Sequence, residues 1–172
     1  MFRSEAAAQA IKRMKDSHPQ MLLLAGTVLN TKQADIAMEV GASIIVAPGF
    51  NPKVAQYCID KGYPYIPGIC TPSEIDAAMD MGFKDLKFFP AEAFGGIKTL
   101  EALHGPYRDV RFMPTGGLDP HNVKAYLEKD YVMAVGGSWI APGNLIDQKD
   151  FTKILENAQE AVQLVNSIRN NQ

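Results

Sequence analysis

Cysteine is scarce in this chain. Only Cys58 and Cys70 occur, and their spacing makes neither a disulfide framework nor a metal motif. Two free thiols suit a reducing cytosol. An excess of one charge is lacking too. The 17 Lys and Arg stand against 19 Asp and Glu, for a net charge of −2, and the basic residues are scattered. With no basic field, a general nucleic-acid binder is excluded. No apolar run approaches the roughly 20 residues of a membrane span. The N-terminus "MFRSEAAAQAIKRMK" has no apolar signal core. His18, His104 and His121 lie far apart without ligand spacing, so no metal site is expected. The expected location is the cytoplasm, with no nucleic-acid or membrane partner.

What is present is a core. Of 172 residues, 47% are hydrophobic, which suits one globular domain over residues 1–172. Short apolar runs recur: "LLLAG" from Leu22, "SIIVAPG" from Ser43, "PYIPG" from Pro64, "DLKFFPA" from Asp85, "VRFMPTGG" from Val110 and "VMAVGGS" from Val132. Their starts lie about 21 residues apart, with one longer interval near Gly95–Gly105. Each run has a Gly or Pro at or beside its end, as a buried parallel strand does.

Helix signals fill the gaps. Asn51-Pro52, Thr71-Pro72 and Asp119-Pro120 each set a capping residue before a proline at the first helical position. Thr71 with Glu74 fits a capping box. Gly41, Gly62 and Gly82 stand where helices should stop. "SEAAAQAIKRM" predicts a leading helix capped by Ser4, with Ala7, Ala10, Ile11 and Met14 on one face. A last helix is expected after Asp147, running through "FTKILENAQEAVQLVNSIRN" to Asn170.

Strand–helix units at this period imply parallel strands covered by helices, either an open doubly wound sheet or a (β/α)8 barrel. A leading helix followed by about six βα units suggests an α/β TIM-type barrel, N-terminally incomplete by two strands. Two glycine clusters strengthen that reading. Thr115–Gly117 follows the fifth strand and Gly136–Ser138 the sixth. On this count they follow barrel strands seven and eight, the usual phosphate site of such barrels. Glycine there lets backbone N–H groups approach an anion. The plainer reading, simple turn glycines, would fit one such pair better than two.

Lys87 interrupts an apolar strand. By alternation it shares a face with Asp85 and Phe89, while Leu86 and Phe88 face the other way. In a barrel it points inward, below the C-terminal mouth. Desolvation lowers a lysine pKa and frees the neutral amine, which attacks carbonyls to form a Schiff base. The competing reading is a lysine that snorkels to water. Lys84, before the strand, reads as solvated.

Taken in order, "AGTVLN", "VAPGF", "IPGICTPSE", "LKFFPAE", "RFMPTGG" and "GGSW" closely resemble the 2-keto-3-deoxy-6-phosphogluconate aldolase / 4-hydroxy-2-oxoglutarate aldolase family, over essentially the whole chain. The resemblance implies a (β/α)8 barrel, a homotrimer, no metal and no cofactor. It implies cleavage of 2-keto-3-deoxy-6-phosphogluconate, a phosphorylated 2-keto acid, to pyruvate and glyceraldehyde 3-phosphate. A second implied substrate is 4-hydroxy-2-oxoglutarate, split to pyruvate and glyoxylate. Lys87 matches the Schiff-base lysine. Arg3 matches the carboxylate-binding arginine, and Thr27 a threonine that touches the pyruvate portion. Phe89 would wall the pocket. Pro48 and Pro67 resemble rim residues, for which plain turn prolines are the alternative. Thr115 falls with the substrate-binding residues, and Gly116, Gly117, Gly136, Gly137 and Ser138 with the phosphate.

The family's general-base glutamate, four residues before the arginine, would fall before Met1. The first strand, its helix and most of the second strand also have no counterpart. A shortened chain or a variant with an incomplete barrel is therefore expected, with exposed strand edges that call for rearrangement or a partner. Glu92, five residues past Lys87, is the nearest substitute base; a helix-start carboxylate is the blander reading. Two rival functions remain: a phosphate-binding barrel isomerase or decarboxylase using Lys87 electrostatically, and a catalytically impaired homologue acting as a phosphate-ligand-binding or assembly subunit.

Overall fold

Short buried strands do alternate with helices. The computed structural model describes residues 1–169, and these fall into two compact units, Met1–Phe89 and the residues from Pro90 onward. The first unit runs α1 (Ala7–Ser17), β1 (Leu24–Gly26), α2 (Thr31–Glu39), β2 (Ile44–Val46), α3 (Pro52–Lys61), β3 (Tyr65–Ile66), β4 (Gly68–Ile69), α4 (Pro72–Asp80) and β5 (Asp85–Phe88). Strands β1, β2 and β3 form a parallel sheet in that order, with Ala25 opposite Ile45 and Ile45 opposite Tyr65. Strands β4 and β5 pair in parallel, Gly68 opposite Lys87.

The run "PYIPG", expected as one strand, is two. Pro67 has no N–H to give a ladder. Its carbonyl instead accepts from the Lys87 N–H at 2.8 Å. The chain thus leaves β2 as its partner and takes up β5. The core beneath is built from Leu23, Ala25, Val28, Ile45 and Ala47 on the strand side and Ala34, Ala37, Val54, Ala55 and Cys58 from the helices. Cys58 is fully buried, and burial, with Asp35 adding to it, pushes its thiol up to about 11. That is an inert packing thiol.

Capping follows the sequence at α3 and α4. The Asn51 side chain accepts from the Lys53 and Val54 N–H groups, and Thr71 with Glu74 completes the capping box. Gly41, Gly62 and Gly82 take positive φ at the helix ends. The first helix differs. It starts at Ala7 rather than beside Ser4, whose hydroxyl accepts from the Ala6 N–H within a turn. Ahead of that turn, the Phe2 N–H is tied to the Gly26 carbonyl at 2.7 Å, so the first residues follow the end of β1 and not the helix axis. Ala7 and Ile11 are buried, whereas Ala10 and Met14 are exposed.

Asp35 on α2 clips α3 in place. The Tyr57 hydroxyl donates to its two oxygens at 2.9 and 2.8 Å, and the Tyr63 hydroxyl donates at 3.2 Å. The hydrogen bond to Asp35, then burial and the carboxylate charge, push the Tyr57 phenol up to about 12. A raised phenol pKa means the folded state holds its proton longer than the unfolded chain. Its contribution to stability is therefore whole below pH 10 and is lost as pH rises from 10 towards 12. In Asp35→Ala, ultraviolet titration of the phenols, compared with Tyr57→Phe, should return the Tyr57 transition to near 10.

The second unit holds a 3-10 turn at Glu92–Phe94, then α5 (Gly96–His104), β6 (Arg111–Pro114), α6 (Val123–Leu127), α7 (Gly143–Asp147) and α8 (Phe151–Arg169). The expected sixth strand from Val132 is only partly formed. It runs parallel to β6 and bridges it at Phe112–Val132 and Thr115–Gly136. Between the bridges Pro114 has no N–H to donate. The ladder slips by one residue, and it is Gly136 that donates to the Pro114 carbonyl, at 3.1 Å. Asp119-Pro120 does not start a helix. The Asp119 side chain accepts from the His121 and Asn122 N–H groups in a turn, and α6 begins at Val123. The unexpected α7 precedes the last helix, and Lys149, at φ 56°, separates the two. Asp150 then accepts from the Lys153 N–H at the start of α8. Its expected end at Asn170 lies outside the described residues. No helix among the described residues is long and apolar enough to cross a membrane.

Candidate active site

In the first unit, the residues singled out in the sequence gather at strand C-termini. Strand β5 buries Leu86 and Phe88 completely on one face and leaves Lys87 half-buried on the other. The main chain around Lys87 is held on both sides: its own N–H donates to Pro67, and the Phe89 N–H donates to Ile69 at 3.1 Å. Two residues along the same face, the Phe89 ring lies beneath the amine, with Nζ 4.7 Å from the centroid. Burial pulls the Lys87 pKa below the ordinary value of 10.5, and the positive charge of Arg3 adds to the shift. A cation over a ring favours the charged form, opposite in sign to burial and to Arg3.

Arg3 comes near Lys87 because Phe2 is anchored to the end of β1. The Gln33 side chain adds a 3.5 Å bond to the Phe2 carbonyl. Thr27 directly follows β1 at φ 65°. A β-branched residue in the left-handed region is strained and persists only where its surroundings over-determine it. They do so here: the Val28 N–H donates to Val46 at 3.2 Å on one side, and β1 is paired on the other. Pro48 follows β2. A Cβ placed on Gly68 would lie 2.3 Å from both the carbonyl carbon and the oxygen of Pro48, so the two chains touch backbone to backbone.

In the second unit, the two glycine clusters meet. Thr115 bridges Gly136, which sets Thr115–Gly117 beside Gly136–Ser138. Gly116 and Gly117 have φ of 96° and 81°, a run that L side chains resist. The Gly116 carbonyl accepts from the Glu92 N–H at 3.1 Å, and that of Gly117 accepts from Asn122 at 3.0 Å. Both carbonyls are engaged, whereas among the described residues the N–H groups of Gly116 and Gly117 meet no acceptor. Successive free N–H groups in such a turn form an anion-binding concavity. Among the described residues, the buried Thr115 hydroxyl there meets no partner. Gly137 admits no side chain, because a Cβ would fall 1.5 Å from the Trp139 ring.

Glu92 opens the 3-10 turn, as the blander reading had it, and its carboxylate accepts from the Tyr126 hydroxyl. Tyr126 and Asn122 had no signal in the sequence. Each reads as an ordinary helix or turn residue until the fold sets Asn122 on the Gly117 carbonyl and Tyr126 on Glu92.

Parallel strands alternating with helices, with polar side chains and tight turns gathered at the strand C-termini, define an α/β protein of the (β/α)8, TIM-barrel class. Residues 1–157 match the family of KDPG and KHG aldolases. The chain is 42% identical over 164 residues to the 2-dehydro-3-deoxy-phosphogluconate aldolase of Haemophilus influenzae, covering 95% of this chain and 77% of that protein. Among solved structures, it resembles the KDPG aldolase of Legionella pneumophila with pyruvate captured as a covalent carbinolamine. That match has a TM-score of 0.86 and 33% identity, and covers 96% of this chain and 77% of the other. The 2-keto-3-deoxy-6-phosphogluconate aldolase of Zymomonas mobilis with 3-phosphoglycerate matches at TM-score 0.79 and 38% identity, over 82% and 67%. This chain belongs to the KDPG and KHG aldolase family.

Proposed function

We propose that this chain is a class I aldolase, a lyase that cleaves 2-keto-3-deoxy-6-phosphogluconate to pyruvate and glyceraldehyde 3-phosphate, and 4-hydroxy-2-oxoglutarate to pyruvate and glyoxylate. The observation that carries the reading is Lys87: a half-buried strand lysine whose pKa is lowered by burial and by Arg3, in a chain of this family. The neutral amine attacks the keto carbon, and loss of water gives a protonated imine. A base takes the proton of the C4 hydroxyl. The C3–C4 bond breaks, its electron pair passes into the imine to give an enamine, and the aldehyde leaves. Protonation at C3 and hydrolysis of the imine release pyruvate and restore Lys87.

Arg3 is assigned to the substrate carboxylate, which its planar fork fits. Thr27 is assigned to the pyruvate portion, and Pro48 and Phe89 to the pocket wall. Thr115, Gly116, Gly117, Gly136, Gly137 and Ser138 are assigned to the distal, phosphorylated end. The captured pyruvate of the Legionella relative and the 3-phosphoglycerate of the Zymomonas relative support these two halves of the assignment. The chain is taken as a single cytoplasmic domain that assembles as a homotrimer. The exposed Leu22 and Leu24 at β1, an edge strand, are consistent with a partner there, and sedimentation would measure the assembly.

The test is reduction with borohydride in the presence of pyruvate, followed by peptide mapping. An adduct on Lys87 supports the reading; a folded sample with none would move the assignment to the impaired, binding-only homologue. Arg3→Ala should raise KM for both keto acids. It should also move the alkaline rise of kcat/KM to higher pH, because removing a positive neighbour raises the Lys87 pKa.

A further inference from the structure

Glu92 sits badly for an anion site. A carboxylate next to a phosphate loop repels its ligand, so its presence needs another reason. Its surroundings supply one. A Cβ on Gly117 would lie 2.7 Å from the Glu92 Cβ and 2.9 Å from its Cγ, so the stem of the side chain lies against the Gly117 α-carbon. The carboxylate then turns aside. Its Oε1 lies 3.0 Å from where a Cβ on Gly96 would be, and it accepts the hydroxyl proton of Tyr126, which is 1% exposed. Burial, with the hydrogen bond to Glu92 next, raises the Tyr126 phenol above its ordinary value, so it stays a donor at neutral pH. Meanwhile the backbone beside it is stitched to the loop: Ala91 donates to Thr115 at 2.9 Å and Glu92 to Gly116 at 3.1 Å.

The structure assigns Glu92, locked by Tyr126, as the positioning residue of the Gly116–Gly117 loop: its N–H holds the Gly116 carbonyl and its stem packs on Gly117, which leaves the loop's N–H groups to a phosphoryl group. This rests on the phosphate assignment proposed above. Because Glu92 and Tyr126 act through the glycine loop, their effect falls on the affinity for the phosphorylated end and not on imine chemistry.

The experiment compares Glu92→Ala, Tyr126→Phe and Glu92→Gln on the two keto acids. Loss of one hydrogen bond that orients the loop should raise KM for 2-keto-3-deoxy-6-phosphogluconate about tenfold in Glu92→Ala and Tyr126→Phe. KM for 4-hydroxy-2-oxoglutarate, kcat on both, and pyruvate trapping at Lys87 should hold, which also reports that the variants are folded. Glu92→Gln keeps an oxygen for the Tyr126 hydroxyl and should restore the parent KM. Equal rises in KM for both substrates, a fall in kcat on both, or no change in either would overturn the assignment. Inorganic phosphate should compete with the phosphorylated substrate on the parent protein. If it does not, the phosphate site itself is misassigned and the role of Glu92 falls with it.

Discussion

Lys87→Met is expected to lower turnover of 2-keto-3-deoxy-6-phosphogluconate by at least about 10^4-fold, the scale on which a covalent nucleophile is missed. The same variant should take up no pyruvate on borohydride reduction. Methionine approximates the length of the lysine stem and needs no compensation for a buried charge. The strand register depends on the Lys87 N–H and the Pro67 carbonyl, which the substitution keeps. A fall in activity with an unchanged melting temperature therefore isolates the amine. In the parent protein, the rate of trapping should rise with pH and level off below the ordinary lysine value of 10.5, because burial and Arg3 favour the neutral amine. Turnover that survives in Lys87→Met would sink the Schiff-base mechanism and favour an electrostatic role.

The second large effect is on folding. Gly68→Ala adds one methyl group where the carbonyl carbon and oxygen of Pro48 lie 2.3 Å away and the Gly49 nitrogen 2.6 Å. None of these atoms belongs to a flexible side chain. Relief requires β2 and β4 to move apart, and overpacking of this kind costs about 3 kcal/mol. Urea unfolding should show the loss as a lower midpoint with an unchanged slope. An equally simple change at Gly62, where a Cβ meets nothing within 4 Å but φ is 66°, should cost less. Equal costs at the two sites would mean that the Pro48–Gly68 contact is looser than its geometry states.

Much of this was open to reading along the chain. The strand–helix alternation follows from apolar runs closed by Gly or Pro, which need only local sterics and hydrophobicity. The caps at Asn51 and Thr71 and the stops at Gly41, Gly62 and Gly82 are local for the same reason. The lysine stood out because an ammonium group in an apolar strand demands compensation. Where the sequence misled, a partner outside the local helix or strand signal had intervened. Ser4 lost its cap because Phe2 is drawn to Gly26. Asp119 closes a turn with Asn122, whose side chain is itself committed to Gly117. The strand after Val132 slips because Pro114, on its neighbour, cannot donate.

The site divides in the same way. By itself, the amino-acid sequence determined the barrel-type repeat and the family, and it offered Lys87, Arg3, Thr27 and the glycines as candidate site residues, since spacing and residue type are properties of the chain. Only the tertiary structure decided that Arg3 lies close enough to Lys87 to lower its pKa, that Thr27 is held in the left-handed region, and that Tyr126 locks Glu92 against Gly117. Those are facts about residues that are far apart in sequence, 84 positions in the case of Arg3 and Lys87. Electrostatic shifts and backbone strain depend on distance in space, and no pattern along the chain encodes it.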